Sequence, residues 1–283
     1  MQTNFDHCAS LVREADRDRY LAALFAPAER RNALLALYAF NIEIARVREV
    51  AREPMPGEIR LQWWREVLSG EREGEGAAHP VAAAVMASVR QYAIAPDRLS
   101  AIVDAHTFDL YDDPLPTLDD LDNYAVMTQS ALIDIAADIL GADRSETMML
   151  MRSAGIASTV AGILSGLSRH AARRQVYIPQ EVLDRHGVTR DQVLAREDSD
   201  GLKAALAELR RHARRQLAVA QADMAFAPAA IWPALLPLAL VGPALRPMER
   251  RGYEPFDVQP LSLVKRQWLL WRAARDPGRI FAA

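Results

Sequence analysis

Hydrophobic residues recur at three- and four-residue steps along nearly the whole chain, the spacing that places them on one face of an α-helix. No run alternates apolar and polar residues for long enough to predict a sheet. The pattern therefore predicts an all-α fold. The predicted helices span 8–25, 28–50, 56–70, 78–92, 96–112, 118–141, 144–168, 200–226, 229–245 and 259–275, and two short helices are predicted after Pro179 and near Thr189.

Proline and glycine mark the predicted breaks between these helices. Pro27 lies at the start of the second helix, Pro54 and Pro56 close it, and a charged loop with glycines follows at 70–76. The chain contains no internal repeat and no linker-like stretch. Residues 1–283 are therefore expected to form one domain.

Composition narrows the class of protein. Hydrophobic residues make up 51% of the 283 residues, enough for a sizeable helical core. The net charge of −3 and the mixing of acidic with basic residues argue against a nucleic-acid partner. The one cysteine, Cys8, cannot form an internal disulfide, and we expect an inert thiol in a reducing compartment.

The chain start and one apolar segment bear on localisation. The first residues lack both an apolar signal core and an arginine-rich transit segment, so a bacterial cytoplasmic location is expected. Residues 229–245 are apolar, but they fall short of the ~20 residues of a spanning helix and contain three prolines. We expect a buried core helix there, and peripheral contact with the inner membrane remains open.

Two helical segments resemble the catalytic helices of the squalene/phytoene synthase family. The first runs over 37–49 and the second over 155–179. The corresponding family helices each present two acids four residues apart, which a helix places on one face. The resemblance implies an isoprenoid-synthase-like helical bundle with a central cavity. Periodicity alone fits two ordinary packed core helices.

The family's acids are mostly absent from these segments. An alignment without gaps puts the family's five acidic positions at Ala45, Arg46, Glu49, Gly166 and His170, of which only Glu49 is acidic. Magnesium takes oxygen ligands, typically one or two carboxylates together with substrate phosphates. The resemblance therefore implies a degenerate prenyl transferase with no catalytic residues, metal or cofactor, and Mg²⁺ enters only if the chain is an active enzyme.

Other stretches resemble one branch of that family, the branch that contains a mitochondrial respiratory complex I assembly factor. They are 39–45, 58–65, 128–130 and 176–179. This resemblance implies an accessory role, with a respiratory complex subunit or assembly intermediate as the protein partner. One alternative is an active head-to-head prenyl transferase that condenses two prenyl diphosphates. Another is a non-catalytic binder of an isoprenoid or lipid.

A basic pocket is the first candidate site. If the two degenerate helices converge, an anion could be held without magnesium through charge-assisted hydrogen bonds. The candidate residues are Arg46, Arg169, His170, Arg173, Arg174 and Tyr177. The alternative is that Glu43 pairs with Arg46 on the helix surface while the arginines of 169–174 form a solvated loop.

A partner surface is the second candidate site. Arg60, Gln62, Trp63 and Trp64 form a distinctive cluster, and tryptophan and arginine are enriched at binding hot spots. Alternatively, one tryptophan packs inward and the other covers a helix junction. Residues 104–122 contain a run of aspartates that could serve as substitute metal ligands. Their turn-like neighbours favour the alternative, that they are acids at helix ends and in turns.

Overall fold

The computed structural model describes residues 1–51 and 53–281, and the regular structure within these ranges is helical, with no strand. The α-helices are α1 Gln2–Ala15, α2 Arg17–Ala23, α3 Ala28–Ala45, α4 Val47–Val50, α5 Pro54–Ser69, α6 Glu73–Ala78, α7 Pro80–Gln91, α8 Pro96–Ala105, α9 Leu118–Ala125, α10 Ala131–Leu140, α11 Arg144–Ser165, α12 Leu167–Ala172, α13 Gln180–Arg185, α14 Arg190–Leu194, α15 Asp200–Asp223, α16 Trp232–Leu235, α17 Val241–Leu245 and α18 Leu263–Arg275. Shorter 3₁₀ turns are His106–Leu110, Met224–Phe226, Ala229–Ile231, Leu236–Leu240, Arg246–Glu249 and Pro277–Arg279, and Val126–Ser130 forms a π-helical turn.

The predicted all-α fold class is confirmed, and most predicted helices are present with shifted ends or internal breaks. The predicted first helix is divided at Asp16, whose carboxylate caps α2 by accepting from the Arg19 backbone N–H at 3.1 Å. The predicted loop at 70–76 already contains the start of α6. Gly70 ends α5 with φ +89°, a conformation that glycine adopts without strain.

The predicted buried core helix over 229–245 is present as a mostly buried helical segment, but it is not one continuous α-helix. The segment is a succession of short 3₁₀ and α turns, because Pro233, Pro237 and Pro243 supply no backbone N–H for helix hydrogen bonds. By length and composition, Arg144–Ser165 and Ala229–Glu249 are the described segments that could cross a membrane. In each, 67% of the most apolar window is buried within the structure, as in an ordinary core segment.

The chain divides into two compact units, each assembled from separate stretches of sequence. The first unit comprises 1–111 without residue 52, together with 131–148 and 226–237. The second unit comprises 112–130, 149–225 and 238–281 of the described chain. The expectation of a single domain stays a prediction.

Helix α3 forms the centre of the first unit. Helices α1, α7 and α10 all pack against it, and α5 packs against α8. Ten of its 18 residues are buried, among them Leu34, Phe40 and Ile44. In the second unit α15 packs against α13, and its buried residues include Leu202, Leu206 and Leu209. These apolar contacts dominate the stabilisation of each unit.

The one cysteine should be chemically silent in the native protein. Cys8 is wholly buried on α1, and that burial raises the pKa of its thiol to about 12. At pH 8 only about one native thiol in 10⁴ is then ionised, and the thiolate is the reactive form. We expect a disulfide-exchange reagent such as DTNB to modify the native protein at pH 8 at least about 100-fold more slowly than the urea-denatured protein. Equal rates in the two states would contradict the burial of Cys8.

Candidate functional site

The first degenerate segment coincides with a helix break. Helix α3 ends at Ala45, Arg46 has φ −94° and ψ 2°, and α4 begins at the next residue. The Arg46 N–H donates to the carbonyls of Ile42 and Ile44. Ala45, Arg46 and Glu49 are all exposed, so the break presents these motif positions to solvent.

The charged side chains around this break pair differently from the sequence prediction. Arg46 Nε donates to Glu49 Oε2 at 3.2 Å, so the one remaining motif carboxylate faces a guanidinium. Glu43 instead accepts from Arg60 at 3.4 Å and lies 3.8 Å from His79 Nε2. The predicted alternative, a Glu43–Arg46 pair, was therefore wrong. An exposed pair such as Arg46–Glu49 contributes little to stability, but it partly neutralises Glu49.

The second degenerate segment has a similar break. Helix α11 ends at Ser165, Gly166 has φ −97° and ψ 4°, and α12 begins at Leu167. The Gly166 N–H donates to the Gly162 carbonyl at 2.9 Å and the Ile163 carbonyl at 3.2 Å. Each degenerate motif therefore lies where a long helix is interrupted by one residue with nearly the same backbone angles.

Basic side chains fill the space beside Gly166. A Cβ atom added at this glycine would lie 2.5 Å from His170 Nε2 and 2.9 Å from Arg169 Nη2. Any side chain at position 166 would therefore have to displace an imidazole and a guanidinium. In this structure the imidazole and the guanidinium occupy the space that a side chain at position 166 would take.

The chain after α12 folds back onto this position. The rings of His170 and Tyr177 meet edge to face at 5.1 Å between centroids, and Tyr124 lies 5.9 Å beyond Tyr177. Gln175 donates from Nε2 to the Tyr177 hydroxyl at 3.1 Å, and its backbone N–H donates to the His170 carbonyl at 2.9 Å. Hydrogen bonds and ring contacts therefore hold His170 and Tyr177 together.

The predicted pocket residues are brought together only in part. In the second unit, Arg169 and Tyr177 both lie beside His170. Arg173 and Arg174 are exposed on the turn that follows, where Arg174 has φ +61°. Arg46 belongs to the first unit, so the predicted convergence of the two degenerate helices stays a prediction.

A π-helical turn supports the second segment from its other side. The turn Val126–Ser130 brings Ser130 against α11, where its hydroxyl donates to the Arg152 carbonyl at 3.0 Å. A Cβ at Gly155 would lie 2.5 Å from the Ser130 backbone nitrogen, so only glycine fits. Such π turns are rare in proteins, and those that occur often lie at functional sites. Residues 128–130 are one of the stretches that resemble the family, but their sequence gives no sign of this contact.

The tryptophan pair divides between core and surface. Trp64 is wholly buried and meets Phe40 edge to face at 5.0 Å between centroids. It therefore cannot belong to the predicted partner surface, which corrects that prediction. Trp63 is half-buried, and its Nε1 donates to Glu75 Oε2 at 3.0 Å. Arg60 and Gln62 are exposed.

The remaining surface residues border a cleft in the first unit. The cleft has a volume of about 470 Å³ and is lined by Glu58, Ile59, Gln62, Trp63, Arg65, Glu66, Arg72 and Thr107. Hydrogen bonds from Gln62 and Arg72 lower the pKa of Glu66, and those from Trp63 and Arg72 lower the pKa of Glu75. The charged groups of the wall are thus paired, while Ile59 is 66% exposed. The cleft therefore offers two apolar side chains, Ile59 and Trp63, among polar ones.

Three aspartates of 104–122 make contacts that stabilise the fold. Asp120 and Thr117 form a capping box at the start of α9. Asp109 is buried at 2.6 Å from His106 Nδ1, and Asp122 is buried at 2.7 Å from His212 Nε2. Within residues 1–51 and 53–281, no three His, Cys, Asp or Glu side chains are grouped so that they could hold a metal ion.

The residues at the motif positions do not fit magnesium. Ala45 and Gly166 carry no side-chain oxygen, and the face of Gly166 is covered by basic groups. Glu49 offers one carboxylate, which Arg46 already engages. Magnesium prefers hard oxygen ligands and is repelled by guanidinium groups. This donor set suits an anion better than a divalent cation.

Comparison with known proteins places these segments in a family. The squalene/phytoene synthase family matches residues 12–272. The chain belongs to this family. Complex I assembly factor 6 of Mus musculus is 27% identical over 270 residues, which cover 93% of this chain and 81% of that protein. Chloroplastic phytoene synthase of Daucus carota is 24% identical over 262 residues, which cover 89% of this chain and 65% of that protein.

Solved structures agree on the fold. A dehydrosqualene synthase crystallised with a ligand superposes with a TM-score of 0.82 at 16% identity, covering 97% of this chain and 96% of that chain. The chain thus has the isoprenoid-synthase fold of that family, as the sequence resemblance implied. The predicted family membership and the kinship with the complex I assembly factor are confirmed.

Two glycines of α11 should respond in opposite ways to the same substitution. Gly155→Ala forces a Cβ against the π turn and should destabilise the protein by about 2 kcal/mol. Gly162→Ala is the matched control, since no atom lies within 4 Å of its Cβ position, and it should stabilise the helix by up to about 1 kcal/mol. Urea unfolding measures both. Similar changes for the two variants would contradict the packing of Ser130 on Gly155.

Proposed function

We propose that this protein is an accessory factor for the assembly of a respiratory complex, complex I, and does not transfer prenyl groups. The observation that carries the proposal is the loss of acids at both helix breaks, where one carboxylate remains at five positions. Ionising a prenyl diphosphate requires its negative charge to be neutralised, and magnesium held by carboxylates does this in the family. Without those ligands the two helices cannot hold the magnesium that ionises a prenyl diphosphate.

Kinship supports the direction of this change. The mouse relative is named for complex I assembly, and it matches 93% of this chain. Fold alone does not determine function, because one fold hosts many activities. The loss of the acids together with the named relative favours an assembly role. We place the protein in the bacterial cytoplasm, in peripheral contact with the inner membrane.

The cleft of the first unit is the surface that we assign to the protein partner. Ile59 and Trp63 supply apolar contact, Gln62 also lines the cleft, and the exposed Arg60 follows Ile59 in the chain. An apolar centre with a polar rim is the usual anatomy of a protein interface. Because the neighbouring acids are already hydrogen-bonded, a partner would not need to supply their counter-charges.

Complementation of a deletion strain tests the assembly role. Deletion in the source organism should lower complex I content, measured by native gel and by NADH oxidation in membranes, while squalene, hopanoid or carotenoid products persist. The wild-type gene should restore complex I, and Ile59→Asp should restore about a third of it or less, since a charge would replace one of the two apolar side chains of the cleft. Val219→Asp is the matched control, because Val219 is an exposed aliphatic residue (44%) on α15.

Normal complex I in the deletion strain would overturn the assembly role. Full restoration by Ile59→Asp would remove the cleft from the partner surface. Loss of squalene, hopanoid or carotenoid products in the deletion strain would favour the enzyme instead.

The basic groups at Gly166 favour a second candidate function, the binding of a phosphorylated or prenyl-tailed ligand without magnesium. Arg169 Nη2 and His170 Nε2 both lie within 3 Å of the Cβ position of Gly166. Charge-assisted hydrogen bonds from such groups recognise phosphate. This ligand binding would be compatible with an assembly role.

Farnesyl diphosphate distinguishes binding from catalysis in one experiment. With magnesium we expect farnesyl diphosphate to bind without release of pyrophosphate. With a chelator in place of magnesium we expect it to bind equally tightly. Arg169→Ala should weaken binding about tenfold, as the loss of a charge-assisted hydrogen bond does. Arg211→Ala, an exposed arginine of α15, is the control. Absence of binding in both conditions would remove the second candidate, and magnesium-dependent release of pyrophosphate would overturn the loss of activity.

A further inference from the structure

The last long helix carries positive charge without any acid. Helix α18 spans Leu263–Arg275 and begins at Ser262, whose hydroxyl caps the Lys265 N–H. Residues 258–275 contain four basic side chains and no aspartate or glutamate. This stretch therefore contrasts with the mixed charge of the chain as a whole, whose net value is −3. A local concentration of one sign attracts partners of the other sign.

Helix α18 has a buried face and an opposite face that is apolar but exposed. Leu269, Leu270 and Ala273 are buried and form the packed face of the helix. Val264, Trp268 and Trp271, spaced by four and three residues, form one stripe on the helix, and they are 77%, 50% and 45% exposed. Contiguous exposed apolar surface that includes two tryptophans is unusual and marks an interaction surface.

Arginines cover the two exposed tryptophans. Arg272 lies over the Trp268 ring at 4.6 Å, and Arg275 lies over the Trp271 ring at 4.0 Å. Both pairs are four residues apart on the helix, so each cation lies beside the apolar stripe. The stripe therefore presents indole rings and positive charge side by side, with Lys265 exposed near its start.

We propose that α18 docks the protein on an anionic lipid bilayer, with Val264, Trp268 and Trp271 at the headgroup level. Tryptophan prefers the membrane interface, where its ring is apolar and its edge is polar. Basic side chains near the surface are attracted to anionic headgroups. At 13 residues the helix is too short to span a membrane, and only its exposed face is available to a bilayer.

Charge favours an anionic bilayer over a protein as the occupant. The stripe is apolar, and residues 258–275 around it carry four basic side chains and no acid. A flat anionic surface complements such a stripe along its whole length. This proposal does not rest on the proposed assembly role, because lipid binding needs no respiratory complex.

Vesicle sedimentation with the full chain tests the proposal. We expect binding to phosphatidylcholine vesicles that contain about 30% phosphatidylglycerol, weakening as salt rises, and little binding to phosphatidylcholine alone. The double variant W268A/W271A should lose at least about tenfold in partitioning, as the loss of two interfacial aromatics predicts. Val264→Asp changes one exposed side chain and should lower vesicle binding, while it leaves both arginine–tryptophan contacts intact. The control double variant M148A/M149A removes two exposed methionines elsewhere and should bind like wild type.

Two results would overturn the proposal. One is absence of binding to the anionic vesicles. The other is unchanged binding by both W268A/W271A and Val264→Asp, with native circular dichroism spectra. If vesicles are not bound but W268A/W271A fails to complement the deletion strain, the stripe is a protein-binding surface instead. Vesicle binding with normal complex I in the deletion strain would support the membrane site and overturn only the assembly role.

Discussion

The approach of the His170 imidazole to Gly166 is the contact on which the candidate site depends. A side chain at position 166 would begin 2.5 Å from the imidazole nitrogen, so bulk at 166 excludes this position of His170. The same contact brings Arg169 beside the helix break, and a carboxylate at position 166 would have to displace both basic side chains. In a family whose catalytic helices carry acids at these positions, the local charge is therefore reversed. The Tyr177 ring and the Gln175 hydrogen bonds hold that arrangement from the loop side.

The first unit departs from the family pattern in a simpler way. Ala45 has no polar atom to contribute, and Arg46 engages the one carboxylate that remains, Glu49. Alanine in place of an acid at position 45 lowers the affinity for a divalent cation, and so does a guanidinium beside Glu49. Both segments keep an interrupted helix, however. The interrupted backbone is thus present without most of the acidic side chains that the family carries at these positions.

Much of the fold could be predicted because helices leave a periodic pattern in the sequence. Most helices were found, and Asp16, Thr117 and Thr189 act as local caps, whose signals span only a few residues. The breaks at Arg46 and Gly166 were missed, since the apolar pattern continues through both. The segment after 229 was predicted as one helix, although its prolines already opposed that. The family and the missing acids were also accessible, because both depend on residue types at fixed spacings.

The sequence by itself determined the helical class, the kinship and the deficit of carboxylates, since each is a property of residue order. Only the tertiary structure decided which tryptophan is buried, which arginine meets Glu43, and why Gly155 carries no side chain. It also decided that the tryptophans of α18 face outward. These facts depend on contacts between residues distant in the chain or on which face of a helix is covered, and residue order alone does not specify either.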